Sequence, residues 1–557
     1  MERAGRMLTK RWPADPALLT PRSGILQETR VDETPPEQSG PAVDSGERDV
    51  GVAAGTNAAA STRFEQAEGP FLHYSRTVTT DGDEYVERTR YRLEVPWFGW
   101  LFGPAVRAVL ARRISPTGWW TPPDRLDPQQ VLVLGLLAAA SMSAAFVNTL
   151  FTQTVAFAAD EFDVSDTGIG IGGAVVRAGI LIALPAAVLA DRIGRRRVIV
   201  AVAWLGPALS LLGAIAPSYP LLVATQTIAR PMGIALAFLI GVVAAEEMPR
   251  SSRAYAVSIL AMASGLGAGI AVLSLRLADT GDGGWRLVYL LAAIWLIVAI
   301  DLTRRLPETR RFQAAEITPT SRPPRLNRSR LLLLAAVAFA GNIFVAPVSF
   351  FQNRYLTDVH DFSGGMIGIF SIAVGTPAGI GLIIGGRLAD TAGRRMLIAV
   401  TLPLSTIALV GAYSVGGPPL WLLSLVGGML ASAAYPALAV YRNELFPTGN
   451  RGRASGLLTA SALVGGIFGL IATGLLLDES WGFGSVMAVM GIGQFVVTAL
   501  VLLAYPETAH TELETLNPED QREDQAADQP GPQPGGGAQD QPGVRRARRG
   551  SQRPDRR

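Results

Sequence analysis

Twelve apolar runs, each near the length of a bilayer-crossing helix, constrain this 557-residue chain more than any other feature. A helix rises about 1.5 Å per residue, so roughly 20 apolar residues cover a hydrocarbon core of about 30 Å. Runs of that length lie near 131–157, 167–190, 198–216, 221–245, 254–275, 286–302, 331–353, 364–386, 396–414, 419–441, 454–477 and 483–504. The expected fold class is an all-α membrane protein with twelve transmembrane helices. Residues 129–303 and 331–506 form two six-helix halves, joined by a cytoplasmic central loop over 304–330. The first apolar run begins beyond residue 128, too late for a cleavable signal peptide, so the amino terminus reads as a retained tail.

Charge orients this array. One alternate set of connections holds twenty arginines, and the opposite set holds only Arg276, Arg286 and Arg354. The positive-inside bias then predicts a multi-pass plasma-membrane protein with both termini in the cytoplasm. Composition removes other classes. The chain has no cysteine, hence no disulfide, thiolate metal site or catalytic thiol. Its one lysine, Lys10, cannot serve a phosphate-cradling loop in the apolar middle. No nucleophile, base and orienter can be assembled, so neither an enzyme nor a cofactor or metal site is expected. A net charge of +3, spread among acids, gives no nucleic-acid surface. The expected partners are a small-molecule substrate and the lipid bilayer, with the protein working as a monomer.

The middle is also a repeat. The segment LADRIGRRR around Asp191 recurs as LADTAGRR around Asp390. Glu246-x-x-Pro249-x-x-x-Arg253 recurs as Glu444-x-x-Pro447-x-x-x-Arg451, and Pro307-Glu308-Thr309 recurs as Pro506-Glu507-Thr508. Displacements of 199, 198 and 199 residues predict two halves of like orientation about an axis along the membrane normal.

With these motifs the chain resembles a major facilitator superfamily transporter, and the paired Glu-x-x-Pro-x-x-x-Arg and Pro-Glu-Thr motifs resemble the sugar-porter branch. The likeness covers roughly residues 129–516. The family's D-R-x-G-R-R loop maps onto Asp191, Arg192, Gly194, Arg195 and Arg196, and its second copy onto Gly386, Asp390, Gly393, Arg394 and Arg395. Ala187 stands where the family usually has glycine, and Thr391 replaces a basic residue. A carboxylate among guanidiniums at helix ends can form bidentate pairs that lock those ends together. The resemblance implies that Asp191 and Arg195 engage Glu246 and the facing half when the cytoplasmic side is shut. Asp390, Arg394, Glu444 and Arg451 would be the pseudo-symmetric set, with Arg196, Arg253 and Arg395 beside them. Setting topology is the alternative role for these arginines.

Small residues line the helices expected at the seam, as Gly168-x-x-x-Gly172, Gly265-x-x-x-Gly269, Gly375-x-x-x-Gly379, Gly381-x-x-x-Gly385 and Gly465-x-x-x-Gly469. Such spacing permits close approach, for sliding or for static packing. Two arginines interrupt the apolar runs, where charge is costly. Arg177 lies about 21 Å above the cytoplasmic end of its helix and Arg230 about 24 Å, at 1.5 Å per residue. Both become candidate substrate ligands for an anionic or strongly polar solute. The alternatives are pairing with Asp160, Glu161 or Asp163, or snorkelling outward. Asn148, Thr152, Gln153, Asn342 and Tyr435 are further polar candidates, each equally able to make an interhelical hydrogen bond. No Asp or Glu occurs within helices 1, 2, 4, 5, 7, 8, 10 or 11 and no His replaces one, so coupling would use a substrate proton, residues such as Asp160 or Glu161 at the cavity mouth, or nothing.

Residues 1–61 and 507–557 read as disordered cytoplasmic tails. Residues 62–128 read as an accessory segment, with a hairpin around Asp81-Gly82 and an arginine-bearing interfacial helix ending at Arg113. The expected function is alternating-access transport of a small polar solute, an organic anion or a sugar-like metabolite. A drug or secondary-metabolite exporter of the same fold and a non-transporting membrane sensor are the competing readings.

Overall fold

The computed structural model describes residues 6–31, 61–112, 122, 124–249, 252–309, 327–446 and 451–508. Twelve helical spans long and apolar enough to cross a membrane occupy its middle. Spans 1–6 are Pro128–Glu161, Asp166–Ala183, Arg195–Ile215, Tyr219–Ala244, Tyr255–Thr280 and Trp285–Arg305. Spans 7–12 are Arg328–Phe350, Gly364–Ala389, Arg394–Ala412, Gly417–Tyr441, Ala454–Asp478 and Phe483–Ala504. Each coincides with one of the twelve apolar runs. Leu332, Ile383, Leu422 and Leu503 project outward with more than half their surface open. In water that would be unfavourable, whereas hydrocarbon is the fitting solvent for such a girdle.

Several spans depart from the continuous helices expected: span 6 is broken at Leu291, spans 3 and 5 finish in 3-10 segments over Gly213–Ile215 and Ser274–Thr280, and spans 2 and 7 depart most. The second span is α-helical to Ala178, passes through a 3-10 segment over Gly179–Ala183 and resumes as Leu184–Ile193. Pro185 lies in the first turn of the resumed helix, where its missing N–H costs nothing. The seventh ends at Phe350, and Gln352–His360 forms a separate short helix. Gln352 and Asn353, which the sequence places in the span itself, therefore sit beyond it. The two halves meet chiefly through spans 2 and 11 and through spans 5 and 8.

Ahead of the spans lies a five-stranded antiparallel sheet, β1 (Arg6–Pro13), β2 (Gln27–Val31), β3 (Ser61–Glu68), β4 (Phe71–Asp81) and β5 (Glu84–Leu93), in the order β1-β5-β4-β3-β2. The helix α1 (Gly99–Arg112) lays Val106 and Leu110 on Phe71, Tyr74 and Tyr91. This corrects the reading of residues 1–61 as wholly disordered. Residues 6–31 are ordered by distant partners: β1 pairs with β5, β2 pairs with β3, and Glu28 meets Arg76 from β4. No local periodicity could announce strands whose stability is supplied more than 30 residues away. The Glu28–Arg76 pair, 2.6 Å apart, is completely buried, and the Tyr74 hydroxyl donates to the same carboxylate at 2.6 Å. Burial, then the Glu28 charge, pushes the Tyr74 hydroxyl well above the usual phenol range.

The sheet is tied to the first half. Arg125 donates to Gly24 O, Ser23 Oγ and Gln27 Oε1 and pairs with Glu68 at 3.1 Å. Trp97 Nε1 donates to Asp301 at 3.1 Å, and Arg305 pairs with Glu94 at 3.3 Å.

Candidate functional site

Of the two intramembrane arginines, Arg177 lies between the halves. Arg177 on span 2 donates through a terminal nitrogen to Asn342 Oδ1 on span 7 at 2.8 Å, and Asn342 in turn donates to Ala338 O at 3.0 Å. The Arg177 guanidinium is seated over Gly466 of span 11, where a Cβ would come within 2.6 Å of Nε. Arg230 on span 4 is half-buried and lies within electrostatic reach of Arg177. Neither arginine has an acidic partner among the described residues. Of the three acids offered as alternative partners, two are engaged elsewhere: Asp160 pairs with Arg354, and Glu161 pairs with Arg286 at 2.5 Å while accepting from Trp285 Nε1 at 2.6 Å.

The other polar candidates divide. Asn148 packs against span 4 at Gly233, and its Oδ1 is buried without a hydrogen-bond partner. Gln153 accepts from Asn353 Nδ2 at both its backbone and its side-chain oxygen, at 2.8 and 3.0 Å, so it joins the halves. Tyr435 on span 10 is 64% exposed and is not drawn into the arginine cluster.

Above this cluster, on the face opposite the motif loops, the halves are sealed by charge. Arg354 bridges Asp160 and Asp166 of the first half, the latter at 3.2 Å, and its own Asp358 at 2.7 Å. Asp478 at the end of span 11 accepts from the Asp166 and Thr167 amides at 2.9 and 3.0 Å, capping span 2. Asp279 at the end of span 5 accepts from the Gly364 and Gly365 amides at 2.6 and 2.9 Å, capping span 8. Carboxylates are favoured at helix N-termini because the free amides and the helix dipole both point at them. The two caps are related by the repeat, since 478 − 279 = 199. Comparing acids at that displacement would have exposed them in the sequence.

At the opposite end the described pairs stay within a half. Arg195 meets Glu246 at 3.2 Å. Arg196 docks on the end of span 6, donating through Nε to Leu306 O at 2.6 Å and through a terminal nitrogen to Thr303 O at 2.8 Å. Glu308 of the Pro-Glu-Thr motif accepts from the Arg196 amide at 3.1 Å. In the second half Glu507 accepts from the Arg394 and Arg395 amides at 3.0 and 3.1 Å. Arg394 also donates to Thr508 Oγ1 at 2.6 Å, and Arg395 to Leu502 O. The turn into each capped helix needs glycine, with φ at +105° in Gly194 and +94° in Gly393. Arg196 and Arg395 thus anchor their own halves, a use the gating expectation did not include. Arg253 donates to Met248 O at 3.4 Å. The side chains of Asp191, Asp390, Glu444 and Arg451 lie outside the described residues.

Twelve spans in two related halves, with a polar interior sealed at one end, are the architecture of a membrane transporter. The sequence matches the Major Facilitator Superfamily over residues 136–376 and again over 331–534, and the chain belongs to that family of transporters. It is 27% identical over 242 residues to NiaP of Bacillus subtilis (strain 168), a protein named for niacin and nicotinamide transport; the match covers 42% of this chain and 60% of that one. It is 38% identical over 105 residues to the puromycin resistance protein of Streptomyces alboniger, covering 18% of this chain and 21% of the relative. The chain therefore spans less than two thirds of either relative. Among solved structures, a D-xylose–proton symporter superposes with a TM-score of 0.54 at 18% identity, covering 68% of this chain and 97% of the symporter, a likeness of fold.

Proposed function

We propose that this protein is a secondary transporter that carries a small organic anion by alternating access. The observation that carries the reading is the pair Arg177 and Arg230, two interior cations without an acidic partner among the described residues. An uncompensated guanidinium inside a membrane protein costs several kcal/mol, and a carboxylate or phosphate arriving between the two arginines would offset that cost. Asn148, with a free acceptor, and Asn342 would orient the substrate. Niacin, for which the relative NiaP is named, is a carboxylate.

In the state described, the seal around Arg354 joins the halves on one face, while the described motif-loop pairs remain within each half. Alternating access requires the motif-loop face to shut at one stage of the cycle. On closure, Asp191, Arg195 and Glu246, with Asp390, Arg394, Glu444 and Arg451, would engage across the halves. The arginine bias supports a plasma-membrane protein with those loops and both termini in the cytoplasm. The paired Pro-Glu-Thr motifs support kinship with the sugar-porter branch, and one chain holding both halves supports action as a monomer. Export of a drug is the second reading, favoured by the match to the puromycin resistance protein.

Reconstituted protein should accumulate or exchange aromatic and aliphatic carboxylates. Arg177→Ala and Arg230→Ala should each abolish that flux while membrane insertion and thermal unfolding remain normal. Wild-type kinetics in both variants would remove the anion site. Uptake of cationic drugs that survives both substitutions would favour the exporter.

A further inference from the structure

A cavity of about 950 Å³ lies where the sheet and α1 meet spans 1 and 5. Its walls are apolar: Phe102 and Val106 from α1, Leu134 and Ala138 from span 1, Ile259 and Met262 from span 5. The volume is at the upper end of ordinary ligand pockets, about 300–1,000 Å³. The charged groups at its edge are already engaged. Arg125 is held by the sheet, and Asp124 accepts from Ser252 Oγ at 3.0 Å. A deeply inserted charged group would therefore find no free partner there.

The cavity is continuous with the lipid-facing surface. Met262 and Leu266 both line it and are about half exposed on the flank of a membrane span. Leu101 lines it from α1 and is also exposed, beside Trp97 and Trp100. Exposed tryptophans belong at the headgroup level, which places α1 at the interface and the cavity just below it. Arg107 and Arg112 are exposed on the same helix and have no acidic partner among the described residues. They supply positive charge at the level where a lipid phosphate lies.

We infer that this cavity is a phospholipid site, holding an acyl chain between the sheet-bearing unit and spans 1 and 5, with the phosphate at the exposed arginines of α1. It is separate from the interior arginines and does not depend on the transported substrate.

The full-length protein, reconstituted with phosphatidylglycerol carrying a photoactivatable acyl chain, tests this. Cross-links should concentrate in the peptides around Phe102–Val106, Leu134–Ala138 and Ile259–Met262. They should fall at least tenfold in Met262→Trp, which fills the mouth from a half-exposed position, and in Ala138→Leu, which fills the floor. Thermal unfolding of both variants in detergent establishes that they remain folded. Even labelling over all outward-facing spans, or labelling unchanged in both folded variants, would overturn the inference. So would displacement of the phospholipid by an equimolar free fatty acid, which would make the site one for a soluble amphiphile.

Discussion

Arg354 is the residue whose removal should most directly change which face of the protein is open. Its side chain is only 17% exposed and reaches two acids of the opposite half, Asp166, 19% exposed, and Asp160, 51% exposed. The Asp166 pair is mostly withdrawn from water and contributes about 1.5 kcal/mol, while the half-exposed Asp160 pair, discounted for screening, contributes about 0.5 kcal/mol. Arg354→Gln should thus weaken the seal by about 2 kcal/mol, raising the open-to-sealed ratio roughly 30-fold. The native chain has no cysteine, so a single introduced thiol is a clean reporter. Phe350→Cys places one beneath the seal, where Phe350 is 5% exposed and stacks near Gly173. Labelling by an impermeant maleimide added from the Arg354 side should accelerate roughly 30-fold when Arg354→Gln is combined with Phe350→Cys. Asp358→Asn, which removes a partner in the same half, should leave the rate within about threefold of the parent. Equal labelling rates with and without Arg354 would refute the electrostatic seal.

Other consequences are as specific. Gly466→Val should push the Arg177 guanidinium off its seat and raise the substrate KM at least about tenfold with normal membrane insertion, as transport assays would read. Glu507→Ala removes a carboxylate that accepts from two amides and should lower stability by about 1–2 kcal/mol, more than Glu308→Ala, in thermal unfolding. Glu28→Ala leaves the buried Arg76 with the longer Glu87 pair at 3.5 Å, at a cost of about 2–3 kcal/mol, so limited proteolysis should open the sheet first, and Arg76→Met in the same chain should restore part of the protection. Burial, followed by the charges of Asp160 and Asp166, raises the Asp358 carboxyl despite Arg354. A carboxyl raised on folding favours the protonated native state, so its stability contribution is present at low pH and lost as pH rises through the raised value. Asp358→Asn should therefore flatten the stability profile just above the ordinary aspartate range, about pH 4, in pH-dependent thermal unfolding.

The spans were legible because hydrocarbon acts as a uniform solvent: any run of apolar residues long enough to cross it declares itself without reference to partners. The repeat was legible for a related reason, since each motif is local and needs only its copy. Arg177 and Arg230 stood out by cost alone, and Arg230 lies within electrostatic reach of Arg177. What the sequence withheld depends on two distant places at once. Gly466 matters only because Arg177 from another half lies on it, and Asp478 only because the amides of Asp166 and Thr167 face it. The strands at Arg6–Pro13 and Gln27–Val31 were hidden in the same way, short and charged, with their partners beyond residue 60.

The Pro-Glu-Thr caps have a consequence for the order in which the chain is made. Glu308 reaches back 112 residues to the Arg196 amide, and Glu507 reaches back 113 to that of Arg394. A chain emerging from the ribosome inserts the third helix of a half long before the carboxylate that closes its first turn has been translated. Each half thus carries an exposed helix start throughout its synthesis and acquires its last fastening only at its final residues. A nascent chain released just before Pro307 would hold six spans, and one released just before Pro506 all twelve, in each case with the start of the newest half's third helix left uncapped.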